Sequence, residues 1–189
     1  MIYATDDLDA AAVRVEAALG VAAVPGGRHA RIGTENRIVP LGGGYLELLA
    51  VADAAEAASS PFGKGLLRRL GQGGDGLFGW AVSVDDLGPV TARLGTPVVT
   101  ITREGMSARL TGVVEAMAEP CLPFFISRAP DIPDPGAIGD AGGIAWVEVA
   151  GDRARLERWL GGAELPVRVV DGRTGVRALG VGGRELRTS

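Results

Sequence analysis

A chain of 189 residues with 47% apolar content has the length of one domain and can bury a sizeable core. Its net charge of −4, a pI near 5.1 and interspersed charges without a basic tract argue against nucleic-acid binding. One cysteine, Cys121, excludes an intramolecular disulfide, Asp6, Asp7 and Asp9 interrupt any signal-peptide core, and no apolar run nears the roughly 20 residues of a membrane span, so a soluble cytoplasmic protein is expected.

Ile2–Thr5 reads as a strand, with Thr5 or Asp6 capping the helix that follows. Leu8, Ala12, Val15 and Leu19 recur at helical spacing, and Gly20 stops the helix. Asn36–Leu41 and Tyr45–Val51 read as a hairpin joined through Gly42-Gly43-Gly44, completing a β-α-β-β unit. Ala52–Asp75 is a connector with a short helix over Pro61–Leu70 presenting Lys64, Arg68 and Arg69. A second unit starts at Leu77–Val84, continues with a helix over Asp86–Leu94, and takes its strands from Pro97–Thr102, Ala108–Met117 and Leu122–Ser127. Ala129–Gly143 is rich in Pro and Gly and reads as a linker. The third unit comprises Ile144–Val149, a helix over Asp152–Leu160, and strands near Val167–Val170, Gly175–Val181 and Arg184–Arg187.

These three units echo one another. Ile2-Tyr3-Ala4-Thr5-Asp6-Asp7-Leu8 returns as Ala81-Val82-Ser83-Val84-Asp85-Asp86-Leu87 and, more loosely, as Trp146-Val147-Glu148-Val149-Ala150-Gly151-Asp152. Each helix stops at a Leu-Gly pair: Leu19-Gly20, Leu94-Gly95 and Leu160-Gly161. Internal repetition of this kind predicts three superposable modules, at about 1–51, 77–127 and 144–188, and places a site in the cleft between them. The fold class expected is α+β, with repeated β-α-β-β(-β) modules forming curled antiparallel or mixed sheets around a cleft.

Several residues carry chemistry that must be weighed against structural roles. Gly71-Gln72-Gly73-Gly74-Asp75-Gly76 fits G-x-G-x-x-G but precedes a strand instead of following one, so it reads as a loop. Cys121 lies in a Pro-flanked turn without a neighbouring base and reads as structural. The single histidine, His29, excludes multi-histidine zinc sites; pocket lining, a hydrogen bond to a neighbour and plain exposure all stay open. Glu47 is the most informative charge. Tyr45, Glu47, Leu49 and Val51 share one strand face while Leu46, Leu48 and Ala50 share the other, so a carboxylate sits in a strand apolar on both sides. A structural ion pair with an arginine of a neighbouring strand is one reading; a metal ligand or general base is the other. Trp80, Phe124 and Phe125 could line the cleft, with core packing as the alternative for each.

Taken together, the stretches Ile2–Ala11, Gly26-Gly27-Arg28-His29, Gly33-Thr34-Glu35-Asn36, Gly42–Glu47, Arg103-Glu104-Gly105-Met106 and Leu122-Pro123-Phe124-Phe125-Ile126 resemble the glyoxalase-like branch of the vicinal oxygen chelate superfamily. They are spread over about two thirds of the chain in the family's order. The resemblance implies paired β-α-β-β-β modules enclosing a cleft in which enzymes of the superfamily hold a divalent metal with His, Gln or Glu. Carried over by residue, Glu47 matches the last-strand carboxylate, whereas the first-strand histidine would fall just before Met1. Gly79 or Trp80 and Phe125 occupy the corresponding places of the second unit, and Glu35 stands where a histidine is usual. One ligand is present where three or four are needed.

The expectation is therefore a cleft that binds a small organic ligand with no metal or other cofactor, Glu47 as its catalytic or polar group, and His29, Asn36, Trp80, Arg103, Phe124 and Phe125 around it. The expected partners are that ligand and a second copy of the chain. A divalent-metal lyase, isomerase or dioxygenase, with Glu47 as a metal ligand, is the alternative if residues precede Met1.

Overall fold

Asp7, not Thr5 or Asp6, caps the first helix: its carboxylate accepts from the backbone N–H of Asp9 (2.9 Å) and Ala10 (3.0 Å) in this computed structural model, which describes residues 1–103, 106–130 and 132–188, without the side chains of Arg103 and Met106. Strand β1 (Ile2–Ala4) leads into helix α1 (Leu8–Leu19), which buries Ala11, Val15 and Leu19 and ends at Gly20 in the left-handed conformation. Strands β2 (Val24–His29), β3 (Thr34–Pro40) and β4 (Tyr45–Val51) follow. Strand β4 returns beside β1 in parallel, with Ile2 opposite Glu47. Strand β2 is absent from the sequence-based assignment because Val24-Pro25-Gly26-Gly27 has no alternation and breaks register between Pro25 and Arg28.

The connector forms two helices, α2 (Ala54–Ser59) and α3 (Pro61–Gly73), the second longer than expected. Its arginines hold carbonyls: Arg68 donates to Met117 O (2.5 Å), Arg69 to Gly74 O (2.8 Å). The strand expected over Leu77–Val84 is split at Trp80 into β5 (Gly76–Gly79), which pairs antiparallel with β1, and β6 (Ala81–Ser83), which pairs with the second sheet. After helix α4 (Gly88–Leu94) come β7 (Val98–Arg103) and β8 (Met106–Thr111). The stretch expected as one strand to Met117 instead turns at Gly112, φ +75, into helix α5 (Val113–Ala118), and β9 (Phe124–Arg128) closes the unit. The first two units share one topology: sheet order is β2-β3-β4-β1-β5 in one and β6-β9-β8-β7 in the other, first strand parallel to last in both.

The third unit departs from that plan. Strand β10 (Ile144–Ala150) pairs in parallel with β11 (Val167–Val170), the strand directly after helix α6 (Arg153–Leu160). Strands β12 (Gly175–Val181) and β13 (Arg184–Arg187) extend the opposite edge, giving β11-β10-β12-β13. Three units of one topology are thus corrected to two plus a variant. The shared strand, acidic turn and Leu-Gly stop specify a strand-to-helix step, but not the sheet edge to which the chain next returns. The fold is α+β with mixed sheets, as the sequence implies, though the sheets curl only weakly.

Two apolar cores lie on opposite faces of the first sheet. Tyr3, Leu46 and Leu48 join α1 and the third unit, including Val149, Leu156 and Trp159, in the larger one. Ile2, Ala4 and Leu49 face the smaller core with Phe78, Leu110, Phe124 and Ile126. Cys121 is buried in the larger core, where burial pushes its thiol above its ordinary range. No helix among the described residues is long and apolar enough to cross a membrane.

A polar staple ties strand β1 and helix α1 to the connector. Asp75 accepts from Thr5 Oγ1 (2.8 Å), the Asp6 N–H (3.1 Å) and Arg14 Nη1 (2.8 Å), and Arg14 also donates to the Tyr3 hydroxyl. Burial alone would raise the Asp75 carboxyl; the hydrogen bonds from Arg14, Thr5 and Asp6 outweigh it and hold the group below its ordinary 3.8. A carboxyl depressed on folding contributes stability above its unfolded pKa and loses it as pH falls through the folded one. The stability gap between the natural chain and Asp75→Asn in denaturant melts should therefore be largest near neutral pH and shrink below about pH 4. A gap that widens in acid would contradict the staple.

Candidate functional site

A cavity of about 470 Å³ opens on the side of the first sheet that carries Ile2, Glu47 and Leu49. Strands β3 and β4 form one wall through Asn36, Ile38, Tyr45, Glu47 and Leu49; strands β8 and β9 form the other through Leu110, Phe124, Ile126 and Arg128. Phe62 at the start of α3 contributes an apolar ring that meets Phe78 and Phe124 edge-on at 6.1 and 6.2 Å. The segment read as a linker supplies Ile132, Pro133 and Pro135, and its Gly136 O accepts from the Gly43 N–H (3.0 Å). The volume and predominantly apolar lining are those of a small-molecule pocket.

Glu47 is the carboxylate of this cavity. Strand β4 is buried on both faces, and the Glu47 side chain is 16% exposed. Asn36, 6% exposed, stands opposite Leu49 and diagonal to Glu47 across the β3–β4 pair, and donates through Nδ2 to Glu47 Oε1. Its Oδ1 accepts from the Gly27 N–H at 2.8 Å, which fixes which end of the amide faces Glu47. Gly26 must be glycine for this: a Cβ there would stand 2.0 Å from Asn36 Oδ1. His29, 14% exposed, lies with Nε2 at 3.8 Å from Glu47 Oε1 and Nδ1 at 3.0 Å from Thr34 Oγ1. The β2–β3 turn that carries it places Arg31 at φ +67, a left-handed conformation that costs a non-glycine residue about 1 kcal/mol or more.

A second polar group lies two residues away on the same strand face. Arg128 Nη2 donates to the Tyr45 hydroxyl at 2.6 Å, and its guanidinium carbon lies 5.6 Å from the centre of the Tyr45 ring, within cation–π range. Burial, reinforced by the negative charge of Glu47, pushes the Tyr45 phenol up to about 12. The Met1 amino group donates to Tyr45 O (2.9 Å); burial lowers it to about 6 against the pull of Glu47, with Arg128 adding to the lowering.

The family described as the glyoxalase-like domain matches residues 1–164. The chain belongs to that family. Its superfamily is the vicinal oxygen chelate group, to which methylmalonyl-CoA epimerase also belongs. No curated protein matches it. A hypothetical protein from Staphylococcus aureus has a similar structure, with a TM-score of 0.71 at 16% identity over 94% of this chain and 87% of that one. Methylmalonyl-CoA epimerases are similar over 68% of this chain: that of Streptomyces coelicolor (TM-score 0.51, 21% identity, 94% of that chain) and that of Mycobacterium tuberculosis (TM-score 0.50, 19% identity, 85% of that chain).

Within this glyoxalase-like domain the structure brings together four of the residues singled out from sequence: His29, Asn36, Glu47 and Phe124 line the cavity. Trp80 and Phe125 are corrections. Trp80 sits at the break between β5 and β6, packs in the larger core and donates to Cys121 O at 3.0 Å. Phe125 follows Phe124 on β9, so strand alternation turns it to the opposite face, where Arg93 lies over its ring. Arg103 ends β7, but its side chain, like residues Glu104 and Gly105, lies outside the described residues. Arg128 and Tyr45 are not singled out by the sequence reading, although the alternation Phe124-Ile126-Arg128 puts the arginine on the Phe124 face.

The donor set does not fit the divalent metal of the superfamily. Glu47 and His29 are two donors, the positions facing them on β9 are Phe124 and Ile126, and among the described residues no group of three or more His, Cys, Asp or Glu is placed to hold an ion. Nor does an arginine pair with Glu47 among the described residues; the group within ion-pair range is the His29 ring, which carries charge only when protonated. Because the partner holding the carboxylate is a neutral amide, Glu47→Gln should cost roughly 1–2 kcal/mol in denaturant melts, the scale of a charge-assisted hydrogen bond. A loss of roughly 3–5 kcal/mol would reveal a buried cation left uncompensated and a structural role for Glu47.

Proposed function

We propose that this glyoxalase-like domain binds a small, largely apolar organic molecule in the cavity without a bound metal, and that Glu47 is the group that meets its polar atom. The observation that carries this reading is a carboxylate on the wall of a largely apolar cavity that accepts a hydrogen bond from a neutral amide, Asn36, and meets no arginine or lysine among the described residues. Folding a carboxylate into such a wall costs free energy that packing does not return. Retained there, it offers a ligand a strong hydrogen-bond acceptor, and a base positioned to take a proton from a bound hydroxyl or acidic C–H. Asn36 holds the side chain in one orientation, while Phe62, Leu110, Phe124 and Ile126 exclude water from around it.

Relatives share the fold and not a demonstrated substrate. The Streptomyces epimerase is solved with 2-nitronate-propionyl-CoA, but at 21% identity that likeness extends to the fold alone. The second reading, a divalent-metal lyase, isomerase or dioxygenase, draws on the approach of His29 to Glu47 at 3.8 Å. A cytoplasmic homodimer belongs to the same proposal and rests on the sequence alone.

Elemental analysis of the dialysed protein separates the two readings. The metal-free reading predicts less than about 0.1 equivalents of zinc, iron, nickel or manganese, since two donors do not close a tight site. Stoichiometric metal that disappears in Glu47→Gln would establish the metal-dependent reading instead.

A further inference from the structure

We propose that Arg128, seated on Tyr45, anchors the carboxylate of the ligand, so that the cavity takes monocarboxylates bearing an apolar chain or ring. This deepens the small-molecule reading above and rests on it. Arg128 projects from the β9 face that carries Phe124 and Ile126, and it lines the same cavity as Glu47. A guanidinium has five N–H donors in a planar fork that matches a carboxylate in a bidentate way. One donor goes to the Tyr45 hydroxyl, and none of the ion pairs among the described residues includes Arg128. The Tyr45 ring lies 5.6 Å from the guanidinium carbon, so ring and hydroxyl together seat the arginine while occupying one of its donors.

The surroundings select the ligand's charge and shape. Among the described residues the charged groups at this end of the cavity include Arg128, the Met1 amino group, Glu47 and Asp134; Asp134 accepts from the Gly136 N–H at 2.8 Å and acts on the Tyr45 phenol through its charge. Glu47 is two residues from Tyr45 along β4, roughly 7 Å at strand rise. A carboxylate held at Arg128 therefore lies in the same cavity as Glu47, on the strand face that Tyr45 and Glu47 share. The rest of the molecule meets Ile38, Leu49, Phe62, Leu110, Phe124 and Ile126, which repel a second charge and favour an apolar tail. Charged groups gathered at one end of an apolar pocket thus define a head and a tail.

Calorimetric titration with octanoate and with 1-octanol, its uncharged counterpart, tests the anchor. The full chain should bind octanoate at least about tenfold more tightly than octanol, a difference of about 1.4 kcal/mol. Arg128→Gln should abolish that preference and leave octanol binding unchanged. Arg128→Lys, which keeps the charge but not the fork, and Tyr45→Phe, which keeps the ring but not the hydroxyl, should each retain part of it; they also carry the test if Arg128→Gln does not fold. Equal affinity for both probes in the natural chain, or an undiminished octanoate preference in the Arg128 variants, would overturn the anchor while leaving the cavity reading intact. Binding of neither probe would overturn both.

Discussion

Everything about this site depends on one carboxylate in a strand buried on both faces. Strand β4 lies between β3 and β1, with Leu46 and Leu48 fully buried against one core and Leu49 against the other. A charge at the centre of such a strand is tolerated only where its hydrogen bonds are made for it. Asn36 makes one of them, and Asn36 is itself oriented by the Gly27 N–H, which reaches it because Gly26 has no side chain. The register shift of β2 between Pro25 and Arg28 falls at these same glycines.

The break at Trp80 has a comparable reach. A continuous strand over Leu77–Val84 would place Trp80 on the face of Phe78, within the smaller core beside the cavity. Splitting the strand sends the indole to the other core, where its N–H is satisfied by Cys121 O, and lets β5 and β6 serve two different sheets. The cavity stays open between those sheets, while the third unit covers the opposite face through Leu156, Trp159 and Leu186. Function and stability are thereby assigned to opposite faces of one sheet.

Much of this was legible in the sequence where periodicity was strong. Helix α1, strand β4 and the two-faced burial of Glu47 follow from spacing alone, and the first two units were visible as repeats. The third unit's pairing was not, because a local echo does not encode which edge a strand joins. Strand β2 was hidden by Pro25-Gly26-Gly27, and α5 by the turn at Gly112, which interrupts an apolar run that reads as one strand. At the site, Glu47, His29, Asn36 and Phe124 were recognisable and Trp80 and Phe125 were misplaced; adjacent residues of a strand cannot share a face, so Phe124 and Phe125 were never compatible as a pair of cleft residues. Arg128 was available from the same alternation but lies just past the stretch that carries the family likeness.

The account stands or falls on whether Asn36 and Glu47 act as one unit. A double-mutant cycle on folding stability, built from Asn36→Ala, Glu47→Ala and the pair, measures this directly. Coupling of about 1 kcal/mol or more is predicted, since the hydrogen bond between the two side chains exists only when both are present. Additivity within about 0.5 kcal/mol would contradict it, and would mean that something other than this amide holds the carboxylate in the cavity.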